Sequence, residues 1–253
     1  MRSTTKKAHG WDEISIQMIK LCDESLVKPL VKIFQYSLDC GIFPGKWKKA
    51  NVVPVYKNKG DKSVVKNYRP VSLLPILGKI FEKYIFDTIY TYFEDNNLFT
   101  SSQSGFRKGD SCVSQLLSIT HEILKSADVS IPLDTRGVFL DISKAFDRVW
   151  HDGLIFKLKS YGISGNVLIL VENFLSGRYQ RVVLDGQNSE WAEIAAGVPQ
   201  GSILGPLFFL VYINDLPEGI VSKLKIFADD SSLFSIILDQ IRCSVEKRGY
   251  AED

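Results

Sequence analysis

The sequence predicts an α+β fold, and three observations carry that expectation. Helical and strand-like stretches are mixed without the regular βαβ alternation of a doubly wound sheet. Two hairpin signals interrupt the helical pattern, a polar turn at 57–67 and the Asp185-Gly186 pair. The 253-residue chain is 45% hydrophobic and 24% charged, with a mean hydropathy of +0.01, which provides enough apolar material for a sizeable core and argues against disorder.

In chain order, residues 14–38 place Ile16, Ile19, Leu26, Leu30, Ile33, Phe34 and Leu38 at helical spacing, with Pro29 expected to break the stretch into two helices. Residues 51–56 and 71–74 read as strands either side of the polar turn. Residues 79–93 and 112–125 read as amphipathic helices. Residues 137–142 (GVFLDI) read as a buried strand ending in a carboxylate, followed by helices at 152–161 and 167–175. Two alternating runs then flank Asp185-Gly186, an apolar helix spans 203–213, and two short strands at 224–237 flank Asp229-Asp230-Ser231-Ser232.

Composition excludes several classes. The longest apolar run, 204–213, is too short to span a bilayer and contains Gly205 and Pro206, so no membrane segment is expected. No apolar stretch follows Met1, and secretion is not expected. Cys22, Cys40, Cys112 and Cys243 lie far apart without a CxxC pair, which speaks against zinc and disulfide frameworks and for free thiols in a reducing compartment. With only three histidines (His9, His121, His151), a metal site would be built from carboxylates.

The net charge of +2 is unevenly spread. Between residues 45 and 70, Lys46, Lys48, Lys49, Lys57, Lys59, Lys62, Lys66 and Arg69 face a single acid, Asp61. A solvated lysine-rich loop and a phosphate-binding surface both fit this pattern. Trp47 and Tyr56, interleaved with the bases, tilt it toward nucleic acid.

Three acids stand in unusual surroundings. Asp141 ends the apolar run Val138, Phe139, Leu140, and Asp229 and Asp230 form the tip of an apolar hairpin. Adjacent like charges in a buried turn repel, and a divalent cation would neutralise them. Magnesium prefers oxygen ligands and pairs one or two carboxylates with substrate phosphates. If the two strands are neighbours, three carboxylates meet at one sheet edge, a set suited to two metals about 3.5–4 Å apart. An exposed Asp-Asp turn is the competing reading. The segment GVPQGSILGPLFF (197–209) places Gly197, Gly201 and Gly205 where a flat group such as a base pair would approach the backbone, or it is simply the lead-in to a helix. Phe146 would contact a sugar beside the metal site, or pack in the core.

Taken in order, five segments resemble the reverse transcriptase domain of non-LTR (LINE-type, jockey-like) retrotransposons. FLDISKAFDRVWH (139–151), GVPQGSILGPLFF and FADD (227–230) are similar to its three catalytic motifs. NYRPVSLLP (67–75) and QSGFRKGDSC (103–112) are similar to two finger motifs, so that the resemblance covers roughly residues 8–238. It implies the fingers and palm of a right-hand polymerase copying RNA into DNA. Asp141, Asp229 and Asp230 would then be the catalytic carboxylates, joined by the Ile142 carbonyl in holding two Mg²⁺ ions, with Mn²⁺ as a substitute. Phe146 would exclude the ribose 2′-OH, Gln200 and Gly201 would line the nucleotide and template base, Lys57 and Arg69 would grip the triphosphate, and Arg107 would support the template.

The resemblance divides the chain into an N-terminal helical extension (1–45), fingers with part of the palm (46–135), palm (136–238) and a divergent tail (239–253). It implies an RNA template, a DNA primer, dNTPs and an intracellular protein of nucleus or cytoplasm. Lys6-Lys7 is too short to count as an import signal. A thumb and an endonuclease domain are expected to be missing, and from about Gln240 the resemblance is expected to stop. A catalytically inactive remnant that binds nucleic acid is therefore a competing expectation. An RNA-directed RNA polymerase is another, and Phe146 argues against it.

Overall fold

The computed structural model describes residues 9–128 and 134–237, so Lys6-Lys7, Cys243 and the tail at 239–253 lie outside the described residues. The chain forms two compact units of interleaved sequence, one from residues 9–98 and 144–212, the other from 99–128, 134–143 and 213–237. Among the described residues no helix is long and apolar enough to cross a membrane. Cys22, Cys40 and Cys112 are free and exposed.

The first unit opens with helices α1 (Ile16–Cys22) and α2 (Val27–Cys40). The break between them is a 3₁₀ turn at Asp23–Leu26, not Pro29, which sits in the first turn of α2. The first amides of a helix have no intrahelical partner, so proline is tolerated there. Strands β1 (Lys49–Tyr56) and β2 (Tyr68–Leu73) form the expected antiparallel hairpin, in register from Asn51↔Leu73 to Tyr56↔Tyr68. Helices α3 (Ile76–Asp95), α5 (His151–Ser160), α6 (Gly165–Leu175) and α7 (Leu204–Tyr212) fall where the periodicity predicts them. Strand β4 (Arg178–Leu184) turns at Asp185-Gly186 into β5 (Gln187–Asn188), and β6 (Ala192–Ile194) returns along it. The parallel pairing of β4 with β1 was not legible from the sequence, because parallel partners share no turn.

An aromatic cluster forms the core of this unit. Phe81 stacks on Phe34 at 4.7 Å and on Phe43 at 5.6 Å, with Trp47 at 6.2 Å; Phe43 in turn meets Phe174 at 5.0 Å, and Phe174 meets Phe208 at 5.8 Å. Trp47 is only 8% exposed, so it belongs to this core and cannot stack on a base. Its interleaving with lysines reflects the 3₁₀ turn at Gly45–Lys48, which also buries Lys48.

The second unit is a three-stranded antiparallel sheet in the order β3 (Asp134–Asp141), β8 (Asp230–Ile237), β7 (Lys223–Phe227), with helix α4 (Cys112–Ala127) against β3 and β7. The strand at 137–142 is not buried: Val138 is 54%, Phe139 74% and Leu140 51% exposed. It is the edge of its sheet, and α4 covers only part of it, so apolar composition did not translate into burial. The β7–β8 turn is Ala228-Asp229, which places Asp230, Ser231 and Ser232 in β8 instead of the turn.

Removing a packed aromatic leaves a cavity. Phe81→Ala is expected to lower unfolding stability by about 3–5 kcal/mol, whereas Phe139→Ala at an exposed position should stay within about 0.5 kcal/mol. Urea unfolding followed by tryptophan fluorescence distinguishes the two; equal effects would show that the aromatic cluster is not the core.

Candidate active site

Strand register decides where the acids lie. Asp141 is the direct partner of Asp230, and Asp230 is also opposite Phe227. Cross-strand partners project from the same face, so these two carboxylates share one side of the sheet. The Ile142 N–H donates to the Asp229 carbonyl at 3.4 Å, which ties the end of β3 to the turn. The condition left open by the sequence, that the Asp141 strand lies beside the Asp229-Asp230 hairpin, is therefore fulfilled.

Burial and convergence differ from expectation. Asp141 and Asp230 are exposed and Asp229 is half-buried, so the repulsion between them is not intensified by desolvation. Among the described residues no three His, Cys, Asp or Glu side chains come close enough together to hold a metal ion. The reason is local: Asp229 is in the turn, and Asp230, the first residue of the strand, points to the face it shares with Asp141. The donor set fits magnesium in kind, since two like-charged carboxylates on one sheet face offer the oxygen ligands a hard divalent cation prefers.

The turn before Asp229 is held by the loop at 102–105. The Gln103 Oε1 accepts from the Gly105 N–H at 2.7 Å and from the Ala228 N–H at 3.1 Å. A hydrogen bond from the Ser104 hydroxyl holds the Asp110 carboxyl below the usual carboxylate range. Arg107, in the same loop, lays its guanidinium over Phe99 at 4.7 Å and donates to the Thr100 carbonyl at 3.5 Å.

In the first unit, the loop at 197–203 is fastened at both ends. The Ser72 N–H donates to the Gln200 carbonyl at 2.8 Å, the Gly197 N–H to Val149 at 2.9 Å and the Val198 N–H to Phe146 at 2.8 Å. The Gln200 side chain donates to the Asp147 carboxylate at 3.1 Å, and Phe146 stacks on Phe209 at 5.1 Å. The glycines serve close approach, but of the chain's own backbone: a Cβ on Gly201, where φ is +132°, would sit 2.5 Å from the Ser72 oxygen, and one on Gly197 would meet Asp147.

The N-terminus of α7 is buried, and its amides need partners. Ser202 Oγ accepts from the Gly205 N–H at 2.9 Å, while Glu82 Oε2 accepts from Ile203 at 2.7 Å and Leu204 at 3.3 Å. Glu82 is 1% exposed, and burial pushes its carboxyl up even though Arg178 and the two amides pull it down. Arg178 is equally buried; desolvation lowers it to about 10, against the stabilising charge of Glu82. Burial, and then Arg178, also lower Lys48. Sequence reading missed Glu82, Asp147 and Arg178 and gave Gln103 no role. For Glu82 a signal existed, because it occupies the apolar stripe of α3 with Ile85 and Ile89.

On the β1–β2 hairpin, Lys57, Lys59, Lys62, Lys66 and Arg69 are exposed, and Lys57 donates to the Lys66 carbonyl at 3.0 Å. Tyr56 packs on Tyr68 at 5.5 Å beneath the Lys62 ammonium at 5.6 Å. The hairpin is thus a cationic loop braced by two tyrosines.

A family model described as "Reverse transcriptase (RNA-dependent DNA polymerase)" matches residues 55–247. The chain belongs to the reverse transcriptase family. The match takes in part of the tail at 239–253, past the point near Gln240 where the resemblance was expected to stop. The RNA-directed DNA polymerase from mobile element jockey of Drosophila melanogaster is 37% identical over 215 residues, covering 84% of this chain and 23% of that protein. Its counterpart from Drosophila funebris is 35% identical over 250 residues, covering 95% and 26%. The probable RNA-directed DNA polymerase from transposon X-element of Drosophila melanogaster is 34% identical over 235 residues, covering 91% and 26%. The chain spans about a quarter of the length of these relatives. They are transposon enzymes, in keeping with the non-LTR resemblance of the five motifs.

Glu82 makes a pH prediction. Its folded-state proton is held more tightly than the unfolded chain's at the ordinary value of 4.5. The stability this contributes is present below that pH and is lost as pH rises through the folded-state value. Wild-type protein should therefore lose stability relative to Glu82→Gln on going from pH 4 toward neutrality. Parallel pH–stability curves from chemical unfolding would contradict this.

Proposed function

We propose that this chain is the polymerising part of an RNA-directed DNA polymerase, with β3, β7 and β8 as its palm and the β1–β2 hairpin as part of its fingers. The observation that carries the proposal is the cross-strand pairing of Asp141 with Asp230 in a member of the reverse transcriptase family. The substrates are an RNA template, a DNA primer and dNTPs. In the reaction the primer 3′-oxygen forms a bond to the α-phosphorus of the dNTP, the bond to the bridging oxygen breaks, pyrophosphate leaves, and the hydroxyl proton passes to solvent.

Asp141 and Asp230 would hold a divalent cation, with Asp229 and the Ile142 carbonyl at the adjoining turn. Mg²⁺ bound there supplies Lewis acidity toward the phosphate oxygens and lowers the pKa of the attacking hydroxyl. Phe146, braced on Phe209, presents a flat wall suited to excluding a 2′-hydroxyl. Gln200 is oriented by Asp147 and Gly201 keeps the loop flush with β2, which suits a surface for a nucleotide base. Arg69 is exposed, which suits a phosphate contact. Lys57 is the less direct candidate, since its ammonium is engaged by the Lys66 carbonyl. Arg107, stacked on Phe99, suits a template contact.

A second reading, an inactive nucleic-acid-binding remnant, draws on a specific observation: no three acids converge among the described residues. Primer extension on an RNA template with dNTPs and Mg²⁺ separates the two. Extension by the purified chain that is abolished in Asp229→Asn/Asp230→Asn supports the polymerase. Folded, RNA-binding protein that never extends a primer leaves only the second reading.

Both readings use the cationic hairpin. Single-stranded RNA affinity should fall with salt, and Lys59→Gln with Lys62→Gln should flatten the slope of log K against log [salt] by about 0.7 for each lost phosphate contact. An unchanged slope would remove the hairpin from the RNA interface.

A further inference from the structure

We infer that Gln103 is a positioning residue for the carboxylate pair: its side chain clamps the Ala228-Asp229 turn, and the metal affinity of the neighbouring acids depends on that clamp. This rests on the metal-binding reading of Asp141 and Asp230 given above.

Gln103 is 5% exposed. Both groups bonded to its side chain are backbone N–H donors, Gly105 at 2.7 Å and Ala228 at 3.1 Å, so the atom they meet has to be the amide oxygen. One oxygen thereby joins the loop at 102–105 to the residue immediately before Asp229. The backbones run side by side as well: the Ile226 N–H donates to Ser102 at 2.8 Å, and the Ser104 N–H donates to Ile226 at 2.9 Å. Gly105 closes the contact, because a Cβ there would overlap the Ala228 nitrogen.

The turn needs such support. Ala228 has a φ of +56°, a left-handed conformation that residues with a side chain adopt only when their surroundings hold them there. Its N–H is buried at a residue 7% exposed, so without Gln103 that donor would be stranded or would turn elsewhere for a partner. Either movement passes directly into Asp229 and Asp230. Asp230 begins the strand opposite Asp141, and the Asp229 carbonyl receives Ile142. The amide nitrogen of Gln103 has no hydrogen-bond partner among the described residues. The clamp therefore depends on the acceptor oxygen alone, and Glu should replace Gln while an apolar isostere should not.

Manganese binding to the 253-residue chain, followed by the electron paramagnetic resonance of free Mn²⁺, reads this without polymerase activity. Circular dichroism melts establish first that each variant folds. Wild-type binding that Asp141→Asn removes places the ion at the carboxylate pair. Gln103→Met is then expected to weaken Mn²⁺ binding about 10–100-fold, the range for supporting groups around metal ligands, with Gln103→Glu close to wild type. Gln103→Met binding as tightly as wild type overturns the role of Gln103 and leaves the metal site standing. Equal loss in Gln103→Met and Gln103→Glu also overturns it, since the acceptor would not be what matters. Absence of wild-type binding overturns the metal site and this inference together. If Gln103→Met does not fold, Gln103→Asn, whose oxygen is one methylene short, takes its place: weaker binding than Gln103→Glu supports the clamp, and equal binding overturns it.

Discussion

Helix Leu204–Tyr212 is apolar around its whole circumference, and that constraint organises the larger unit. A helix without a polar face has to be surrounded, and Leu204, Leu207, Phe208, Phe209, Leu210 and Val211 are all buried. Surrounding it also buries its N-terminal amides, which water can no longer reach. Glu82 and Ser202 supply the acceptors from within the protein. The buried carboxylate then calls for a compensating positive charge, which Arg178 provides from the start of β4. One hydrophobic requirement thus propagates into a polar cluster that fixes α3, β4 and the glycine-bearing loop in a single arrangement.

The same loop carries Gln200 and Gly201, so the stability of the core and the shape of a candidate nucleotide surface are joined. The loop is fixed by backbone hydrogen bonds to β2 and to the 145–149 segment, with its Gln200 and Ser202 side chains adding bonds to Asp147 and to the Gly205 amide. Its glycines are used to let these segments touch. This alters what a glycine-rich motif says physically: here the close neighbour is the chain itself, and a ligand would meet the outer side of a surface already braced from within.

The smaller unit solves a different problem. Its sheet has a thin core, and its apolar edge strand is largely exposed. Register, not burial, brings Asp141 opposite Asp230, and Asp230 directly follows the two-residue β7–β8 turn whose first residue, Ala228, has a left-handed φ. Sites built on such turns depend on neighbours that satisfy the turn's own amides, which is the part Gln103 plays.

Much of this was legible in the sequence. The helices and the hairpins follow from periodicity and turn residues, which act over a few residues, whereas the nearness of Asp141 to Asp229-Asp230 stayed conditional until the β3–β8 pairing decided it. The sequence alone also determined the family, because five motifs in order leave little freedom. Tertiary structure decided the rest. The parallel β1–β4 pairing, the exposure of Val138–Leu140, the burial of Trp47 and Lys48, and the capping of α7 by Glu82 join residues far apart in the chain or depend on what covers a face. Side-chain identity specifies how strongly a group seeks burial or a partner. Which partner it meets is settled only when distant segments pack: Asp141 and Asp230, from separate motifs, become cross-strand partners while Asp229 stays in the turn.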